Sequence, residues 1–282
     1  MKLVITEKPS VGMAVASVLG AKERGDGFVT GNGWIVSWCV GHLVELANAG
    51  AYDEKFAKWR YEDLPIIPTQ WKHTAAPGKK KQLDILRRLM NGKDVDTVIC
   101  AADAGREGEL IFRLVYEYCG CEKPVQRLWI SSMEDSAIRE GFEKLRAGAD
   151  YDNLYRAALC RSQADWLVGI NATRLFSVIH GSTLNVGRVQ TPTLALMVSR
   201  EQEIAAFIKE PFYMIDLNCG DFTASGEKLK DRKSAEDVLT ACDGQTAVVR
   251  SVERKEKSAA PLRLYDLTTL QREANRLFGQ CH

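Results

Sequence analysis

Acidic side chains follow two short apolar segments of this sequence. Glu7 comes directly after Lys2–Thr6, and Asp103 comes directly after 97–102, with Glu107 four residues further on. Three carboxylates that approach one another repel, and a hard divalent cation offsets that repulsion. Oxygen ligands favour Mg²⁺, which usually keeps several waters and bridges to phosphate. These residue types therefore indicate a Mg²⁺-dependent reaction at a phosphate group.

The residues beside these carboxylates suit the same chemistry. Gly105 and Gly108 allow a tight turn from strand to helix and a close approach of phosphate to the backbone, and a helix N-terminus attracts anions. Lys8 and Arg106 could each meet a phosphate oxygen. Taken alone, an acidic glycine-rich turn is more often a solvated surface turn. The second acidic site at Glu7 strengthens the functional interpretation.

The elements that must position these side chains alternate between strand and helix over the first 150 residues. Strands are predicted at 2–6, 34–40, 97–102 and 125–130, and helical spacing is found in 11–19, 82–90, 110–115 and 137–145. This alternation predicts an α/β domain with a mostly parallel sheet and helices on both faces. Because ligands bind beyond the carboxyl ends of such strands, Glu7, Asp103 and Glu107 are expected to meet there.

The pattern changes after residue 150. Helical spacing predicts long helices at 153–179 and 190–205, and alternating polarity then predicts strands at 212–218, 222–224 and 246–254 before a helix over 267–278. The expected organisation is an α/β domain over 1–150, a helical domain over 151–210 and an incomplete β-rich domain over 211–282. The charged stretch 228–233 is interpreted as a solvated turn.

Composition excludes several classes of protein. Of the 282 residues 45% are hydrophobic and 27% are charged, which excludes a disordered chain. No apolar run approaches the roughly 20 residues of a membrane span, and the N-terminus lacks a signal peptide, so a cytoplasmic location is expected. The 8 cysteines include no CxxC pair, which favours reduced thiols over a zinc site. The net charge of +1 does not decide whether a polyanion binds.

Several motifs, in their order along the chain, resemble those of type IA DNA topoisomerases, and the topoisomerase III group most. Those that resemble the Toprim domain of that family are Glu7-Lys8-Pro9-Ser10, Gly41-His42-Leu43 and the segments 103–111 and 127–132. The segments 164–174 and 185–194 resemble motifs of that family beyond the Toprim domain. The resemblance covers essentially the whole chain, which makes coincidence very improbable.

The resemblance implies roles for the acidic and basic residues. Glu7 would act in proton transfer and metal binding beside the scissile phosphate, and Lys8 would place and neutralise that phosphate. Asp103 and Glu107 would bind Mg²⁺. The family usually has a third acidic residue between them, and Gly105 stands at that position here. A second metal site is therefore in doubt, whereas the first is retained. For His42, a role near the site competes with that of a hydrogen-bonded histidine at a strand end.

Residues of the helical segment match positions that grip single-stranded DNA in this family. They are Arg161, Asp165, Gly187, Arg188 and Gln190. Guanidinium groups suit phosphates, and amides and carboxylates suit base or sugar edges. Arg161 and Asp165 are four residues apart, so they could equally form a local surface ion pair. Trp166 could stack on a base, although burial among the helices is about twice as probable on general residue statistics.

The family's reaction needs a tyrosine nucleophile. It forms a 5′-phosphotyrosine without ATP, and that tyrosine lies in a Tyr-Pro-Arg-Thr-Asp-Ser-like motif that these 282 residues do not contain. Tyr265 lacks this context and is interpreted as structural. The chain is therefore expected to be the N-terminal portion of a longer enzyme, acting on single-stranded or negatively supercoiled DNA and inactive alone. A helicase partner stays open.

Three other functions remain as alternatives. A Toprim nuclease or primase-like polymerase would use the same carboxylates without a tyrosine, although such an enzyme has no use for the segments 164–174 and 185–194. A non-catalytic remnant would bind single-stranded DNA with a salt dependence but no metal effect. A nucleotide-binding Rossmann protein is the weakest alternative, because the glycines here do not fit GxGxxG.

Overall fold

The computed structural model describes residues 1–279 and divides the chain into two compact units, Met1–Ala206 and the residues from Phe207 onward. The first unit is built on a seven-stranded sheet and a separate two-stranded antiparallel sheet. Its strands are β1 (Lys2–Thr6), β2 (Glu23–Gly25), β3 (Phe28–Gly31), β4 (Trp34–Trp38), β5 (Val44–Leu46), β6 (His73–Ala75), β7 (Thr97–Ala101), β8 (Val125–Arg127) and β9 (Arg146–Ala147). The order in the large sheet is β2-β3-β4-β1-β7-β8-β9, while β5 pairs with β6.

The large sheet is mixed. Its four central strands are parallel, since β1 pairs in parallel with β4 and β7, and β7 pairs in parallel with β8. Its edges are antiparallel, through β2-β3-β4 on one side and β8-β9 on the other. The prediction of a mostly parallel sheet is therefore right for the centre and wrong for the edges. Short connections such as 26–27 and 32–33 can join only antiparallel neighbours, because a parallel crossover needs a dozen or more residues.

Helices cover both faces of the sheet, as predicted. They are α1 (Pro9–Leu19), α2 (Lys80–Met90), α3 (Arg106–Tyr118), α4 (Asp135–Glu143), α5 (Asp152–His180) and α6 (Gln190–Ala205). Successive strand residues point to opposite faces. On one face Leu3 and Ile5 pack with α2, α3 and the first turns of α5, and on the other Val4 packs with α1 and α4.

The strand register brings three chain segments to one edge of the sheet. Thr6, the last residue of β1, lies opposite Trp38 of β4 and Ala101 of β7. The chain runs from β1 to β4 on one side and then crosses to β7 on the other, so the connections diverge between β1 and β7. In open α/β sheets this switch point is where ligands bind. Glu7 and Asp103 are the residues that leave the sheet there.

The segment between β5 and β6 is anchored on α5. The Asn171 side chain exchanges two hydrogen bonds with the backbone of Ile66, accepting at 2.6 Å and donating at 2.9 Å. The indole of Trp166 donates to the Ala47 carbonyl at 3.1 Å, and its ring meets those of Tyr52 and Trp71 edge to face. The Trp166 ring thus packs against this segment and is not available to stack on a base.

The second unit contains few strands. It has the hairpin β10 (Asp216–Asn218) and β11 (Thr223–Ser225), then α7 (Arg232–Cys242) and α8 (Leu267–Phe278). The helix over 267–278 is as predicted, and the strands predicted at 212–218 and 222–224 are present in part as β10 and β11. Residues 246–254 form no strand, since no described segment pairs with their backbone. Residues 280–282, including Cys281, lie outside the described residues.

The helix α7 was not predicted, although the sequence carries its start signal. Asp231 caps it by accepting a hydrogen bond from the backbone N–H of Ser234 at 2.8 Å, and Arg232 pairs with Glu236 one turn later. The charged stretch 228–233 therefore runs into a helix instead of remaining a turn.

Domain limits and chain chemistry agree only partly with the sequence pattern. The structure separates the chain after Ala206 and joins 1–150 with 151–206, because Tyr155 and Ala158 of α5 are buried with the core of the sheet. The three-domain division stays a prediction.

The seven cysteines within residues 1–279 are free thiols. Burial raises the pKa of the Cys119 thiol to about 11. No helix of the described residues is both long and apolar enough to cross a bilayer.

Candidate active site

Glu7, Lys8 and Asp103 lie together at the carboxyl ends of β1 and β7. The Lys8 Nζ is 3.1 Å from Asp103 Oδ2 and 3.8 Å from Glu7 Oε1. The turn that carries Lys8 is fixed because the Thr6 hydroxyl donates to the Lys8 carbonyl at 3.0 Å. The hydrogen bond to Asp103 and the charge of both carboxylates raise the pKa of Lys8, so its ammonium group stays charged. The two carboxylates thus orient the Lys8 ammonium group, and this group can bind an anion.

Glu107 lies in the first turn of α3 and faces other partners. Its Oε1 is 2.9 Å from His42 Nε2, and its Oε2 is 4.0 Å from a terminal nitrogen of Arg161. The structure therefore brings Glu7 and Asp103 together around Lys8 and joins Glu107 to His42 and to α5. More than half of the Glu107 side chain is exposed, so it remains accessible to a ligand.

A strained loop aims His42 at Glu107. Val40 has a φ of +59°, which is a genuine outlier for a β-branched residue, and Gly41 follows at +74°. The loop is tied to the end of β1, since the Gly41 N–H donates to the Glu7 carbonyl at 3.2 Å. Backbone strain of this kind costs on the order of 1–3 kcal/mol and is found where the surrounding structure enforces a functional geometry. In the sequence, only the Gly41-His42 pair indicates this loop.

A chain of ion pairs continues along α5. Asp165 Oδ2 is 3.8 Å from Arg161 Nε, and its Oδ1 accepts a hydrogen bond from Arg188 Nε at 2.6 Å. Arg188 lies in the loop before α6, and this loop is held on α5 because the Thr173 hydroxyl accepts from the Val186 N–H at 2.9 Å. Arg161 and Asp165 form the local ion pair considered above, but Arg188 joins it from a separate segment.

Gln190 opens α6, and its side-chain amide lies over Gly187. A Cβ added at Gly187 would be 3.0 Å from the Gln190 nitrogen. The Gly187 N–H donates to the Thr191 hydroxyl at 3.0 Å. The exposed side chains of Arg188 and Gln190 are thus presented by a fixed turn at the start of a helix.

The two glycines of the acidic turn differ in what they are needed for. A Cβ added at Gly108 would lie 2.3 Å from the Asp103 carbonyl oxygen, so only glycine lets α3 pack this closely on the turn. A Cβ at Gly105 would meet no atom within 4 Å, and the Gly105 φ of −176° is open to any residue. Gly105 is therefore not required by the backbone.

A buried ion-pair network lies beneath the turn, and the sequence pattern does not indicate it. Glu109 is 1% exposed and Arg127 is fully buried, with their Oε2 and Nε atoms 3.0 Å apart. Arg127 also donates to the backbone carbonyls on either side of Asp103, at 2.7 Å for Ala102 and 2.8 Å for Asp103. Alternation of strands and helices predicts which segments meet, but it does not show which charged side chains are buried between them.

A second missed feature is a cleft of about 470 Å³ between α5 and the segment 48–59. Trp59 is 44% exposed at its wall, and the Arg174 guanidinium lies 5.5 Å from the centre of the Trp59 ring. Arg174 is only 7% exposed, and its Nε has no hydrogen-bond partner. Burial lowers the pKa of Arg174, against the opposing charge of Asp63. A partly exposed indole beside a guanidinium group is a combination suited to a nucleobase and its phosphate.

Comparison with known proteins bears on the whole chain. A family model described as the Toprim domain matches residues 2–133, and one described as DNA topoisomerase matches 149–281. The chain is 43% identical over 284 residues to DNA topoisomerase 3 of Bacillus subtilis (strain 168), and 41% identical over 286 residues to DNA topoisomerase 3 of Shouchella clausii (strain KSM-K16). This chain belongs to the type IA DNA topoisomerase family. The matches cover 98% and 99% of it, and 39% of each relative.

The fold agrees with that of a solved topoisomerase. Full-length topoisomerase I from Thermotoga maritima superimposes with a TM-score of 0.64 at 24% sequence identity, over 99% of this chain and 44% of that one. At this identity the likeness concerns the fold alone. The chain spans 39% of the length of the curated DNA topoisomerase 3 relatives named above.

The acidic residues of this candidate site suit Mg²⁺ only together with other ligands. Within residues 1–279 no three His, Cys, Asp or Glu side chains lie close enough to hold a metal ion by themselves. Mg²⁺ is usually bound through one or two carboxylates, waters and phosphate oxygens, so a complete protein cage is not required. Asp103 and Glu107 offer oxygen atoms on side chains about half exposed, at the N-terminus of α3. The donor set therefore fits the ion.

Proposed function

We propose that this chain is the phosphate- and strand-binding part of an ATP-independent type IA topoisomerase, which passes DNA through a transient single-strand break. The observation that carries the proposal is the position of Lys8, between the Glu7 and Asp103 carboxylates at the switch point of the sheet. An ammonium group there neutralises a phosphodiester, and the flanking carboxylates provide a proton-transfer group and an oxygen ligand.

Each residue of the site has a role in this proposal. Lys8 binds a non-bridging oxygen of the scissile phosphate, and Glu7 exchanges a proton with the 3′ oxygen as the strand opens and recloses. Asp103 and Glu107 would hold Mg²⁺, which supplies charge stabilisation at the phosphate when bound. His42 and Arg161 orient Glu107 through their contacts with its two carboxylate oxygens.

The single strand would follow α5. Arg161 and Arg188 flank Asp165, and their guanidinium groups suit successive phosphates. Gln190 would contact a base or sugar edge from the start of α6. Further along α5, the cleft with Trp59 and Arg174 would take an unstacked base. The substrate class is therefore single-stranded DNA, or negatively supercoiled DNA that opens readily.

The nucleophile of the reaction is not provided by Tyr265 in this proposal. The Tyr265 hydroxyl donates to a carboxylate oxygen of Glu273, and this hydrogen bond raises the pKa of Tyr265, which is the reverse of what a nucleophilic phenolate needs. The 282 residues also contain no Tyr-Pro-Arg segment. We therefore expect the chain alone to bind a strand without cleaving it. Relaxation of a negatively supercoiled plasmid by the purified 282-residue chain would contradict this.

Strand binding can be tested at Lys8. We expect Lys8→Ala to weaken binding of a fluorescent single-stranded oligonucleotide and to lower the slope of log affinity against log salt by about 0.7 to 1, because one phosphate contact is lost. Fluorescence anisotropy across a salt series measures both quantities. Lys144→Ala is the matched control, since Lys144 also makes an exposed pair with a carboxylate, Glu140, on α4. An equal loss in both variants would leave Lys8 without a specific role.

A further inference from the structure

We propose that Glu109 is a positioning residue: it sets the geometry of Asp103 by orienting Arg127 beneath the acidic turn. The proposal rests on the function proposed above, because it treats Asp103 as a ligand of the metal-assisted reaction. Glu109 itself cannot touch metal or DNA, since it is 1% exposed.

Each oxygen of the Glu109 carboxylate accepts a hydrogen bond from a different arginine. Its Oε2 accepts from Arg127 Nε at 3.0 Å, and its Oε1 accepts from Arg113 Nε at 3.0 Å. A carboxylate buried between two guanidinium groups is held in one orientation, and it holds both cations in turn. Glu109 therefore acts from inside the protein, although in sequence it stands only two residues after Glu107.

Arg127 transmits this orientation to the backbone of the turn. One terminal nitrogen donates to the Ala102 carbonyl at 2.7 Å, and the other donates to the Asp103 carbonyl at 2.8 Å. These carbonyls belong to the two peptide groups that flank the Asp103 Cα. Further donation to the Cys100 and Leu128 carbonyls fixes the guanidinium across the ends of β7 and β8. The backbone on both sides of the Asp103 Cα is thus held by one guanidinium group, while the Asp103 side chain pairs with Lys8.

Arg113 extends the same network to α5. One of its terminal nitrogens donates to the Gly148 carbonyl at 2.7 Å and to Asp152 Oδ1 at 2.8 Å. Asp152 is the first residue of α5, and Arg161 lies on the same helix. The Glu109 carboxylate thus lies between the turn that carries Asp103 and the helix that carries the proposed strand contacts.

A purely structural role is the alternative, and the chain offers a matched control for it. Glu117 lies on the same helix α3 and accepts a hydrogen bond from the Tyr155 hydroxyl of α5 at 2.8 Å. Replacing Glu117 with glutamine removes the charge from a hydrogen bond between α3 and α5 without touching the acidic turn. A purely structural role predicts no change confined to the turn, whereas a positioning role predicts a change in the turn for the Glu109 variant and none for the Glu117 variant.

The experiment compares Glu109→Gln and Glu117→Gln in the 282-residue chain with Mn²⁺ as the probe. We expect Glu109→Gln to weaken Mn²⁺ binding, measured by electron paramagnetic resonance, by about 10-fold or more, as outer-shell substitutions do at metal sites. We also expect faster hydrogen exchange of the amides over 102–106. Glu117→Gln should leave both quantities unchanged. Glu109→Asp keeps the charge with a shorter reach, so a smaller change of the same sign is expected.

The outcomes separate this inference from the proposed function. Wild-type Mn²⁺ affinity and exchange in a folded Glu109 variant would overturn the positioning role, as would equal changes in the Glu109 and Glu117 variants. If Glu109→Gln does not fold, Glu109→Asp decides by the same two measurements. A wild-type chain that binds no Mn²⁺ would count against the metal site of the proposed function. In that case exchange over 102–106 still decides whether Glu109 holds the turn.

Discussion

Single residues of this site are constrained to very different degrees. Val40 and Gly108 are held in place by backbone geometry, the first by its φ of +59° and the second by the 2.3 Å that would separate a Cβ from the Asp103 oxygen. Gly105, between the two acidic residues, is free of such constraint. Gly105 therefore lacks the carboxylate that the family usually has at this position, although the backbone would accept an aspartate there.

This contrast gives a prediction at the turn. Gly105→Asp should fold normally and bind Mn²⁺ more tightly than the wild type, because it adds an oxygen ligand beside Asp103 and places a good N-cap residue before α3. Gly108→Ala should unfold at a lower temperature, since its methyl group must push the turn away. Thermal unfolding and Mn²⁺ titration of both variants check this. A stable Gly108→Ala variant with normal Mn²⁺ affinity would contradict the packing argument.

At the scale of elements, α5 joins the core to the proposed strand path. Its 29 residues extend about 43 Å, and no proline interrupts them. The first turns are buried with the sheet at Tyr155 and Ala158, the middle carries Arg161, and Asn171 holds the segment between β5 and β6. A single helix therefore fixes the spacing between the acidic turn and the cleft at Arg174.

The two-stranded sheet of β5 and β6 makes stability depend on pH. Burial lowers the pKa of His73 in β6, and its Nε2 is buried without a hydrogen-bond partner. As the pH falls through the ordinary histidine value of about 6.5, the unfolded chain takes up a proton that the folded chain does not, so the free energy of unfolding decreases. His73→Phe should lose less stability than the wild type between about pH 7.5 and about pH 5.5.

The measurement is thermal unfolding of wild type and variant at both pH values. His180→Phe is the control, because it removes an exposed histidine from another element, the last turn of α5. If the wild type and His73→Phe lose equal stability on acidification, the assignment to His73 is wrong.

The sequence predicted what depends on local pattern. Alternation of strand and helix placed Glu7 and Asp103 at the ends of β1 and β7, and the structure has both there. The antiparallel edges were missed because β2 and β9 are too short and polar to give a periodic signal. The Glu109–Arg127 pair and the Trp59–Arg174 contact were missed for another reason. They join segments distant in sequence, and burial of a charged residue leaves no periodic pattern.

At the scale of the whole molecule, the buried core belongs to the first unit. Every buried side chain of the described residues lies before Ala206, and none within 207–279 is buried. The second unit should therefore contribute little to cooperative unfolding, because burial of apolar surface is the main favourable term.

Truncation tests this division. A chain of residues 1–206 should unfold at nearly the same temperature as the 282-residue chain and retain its affinity for a single-stranded oligonucleotide. Differential scanning calorimetry and fluorescence anisotropy measure the two quantities. A marked fall in unfolding temperature on truncation would show that the second unit stabilises the first.

The two outermost strands of the large sheet are exposed and short, with three residues in β2 and two in β9. An edge strand offers unpaired backbone groups to any other chain, and long flat edges are templates for aggregation. Edges this short present few such groups, and both run antiparallel to their neighbours inside the sheet. Self-association by strand addition to this sheet is thereby disfavoured.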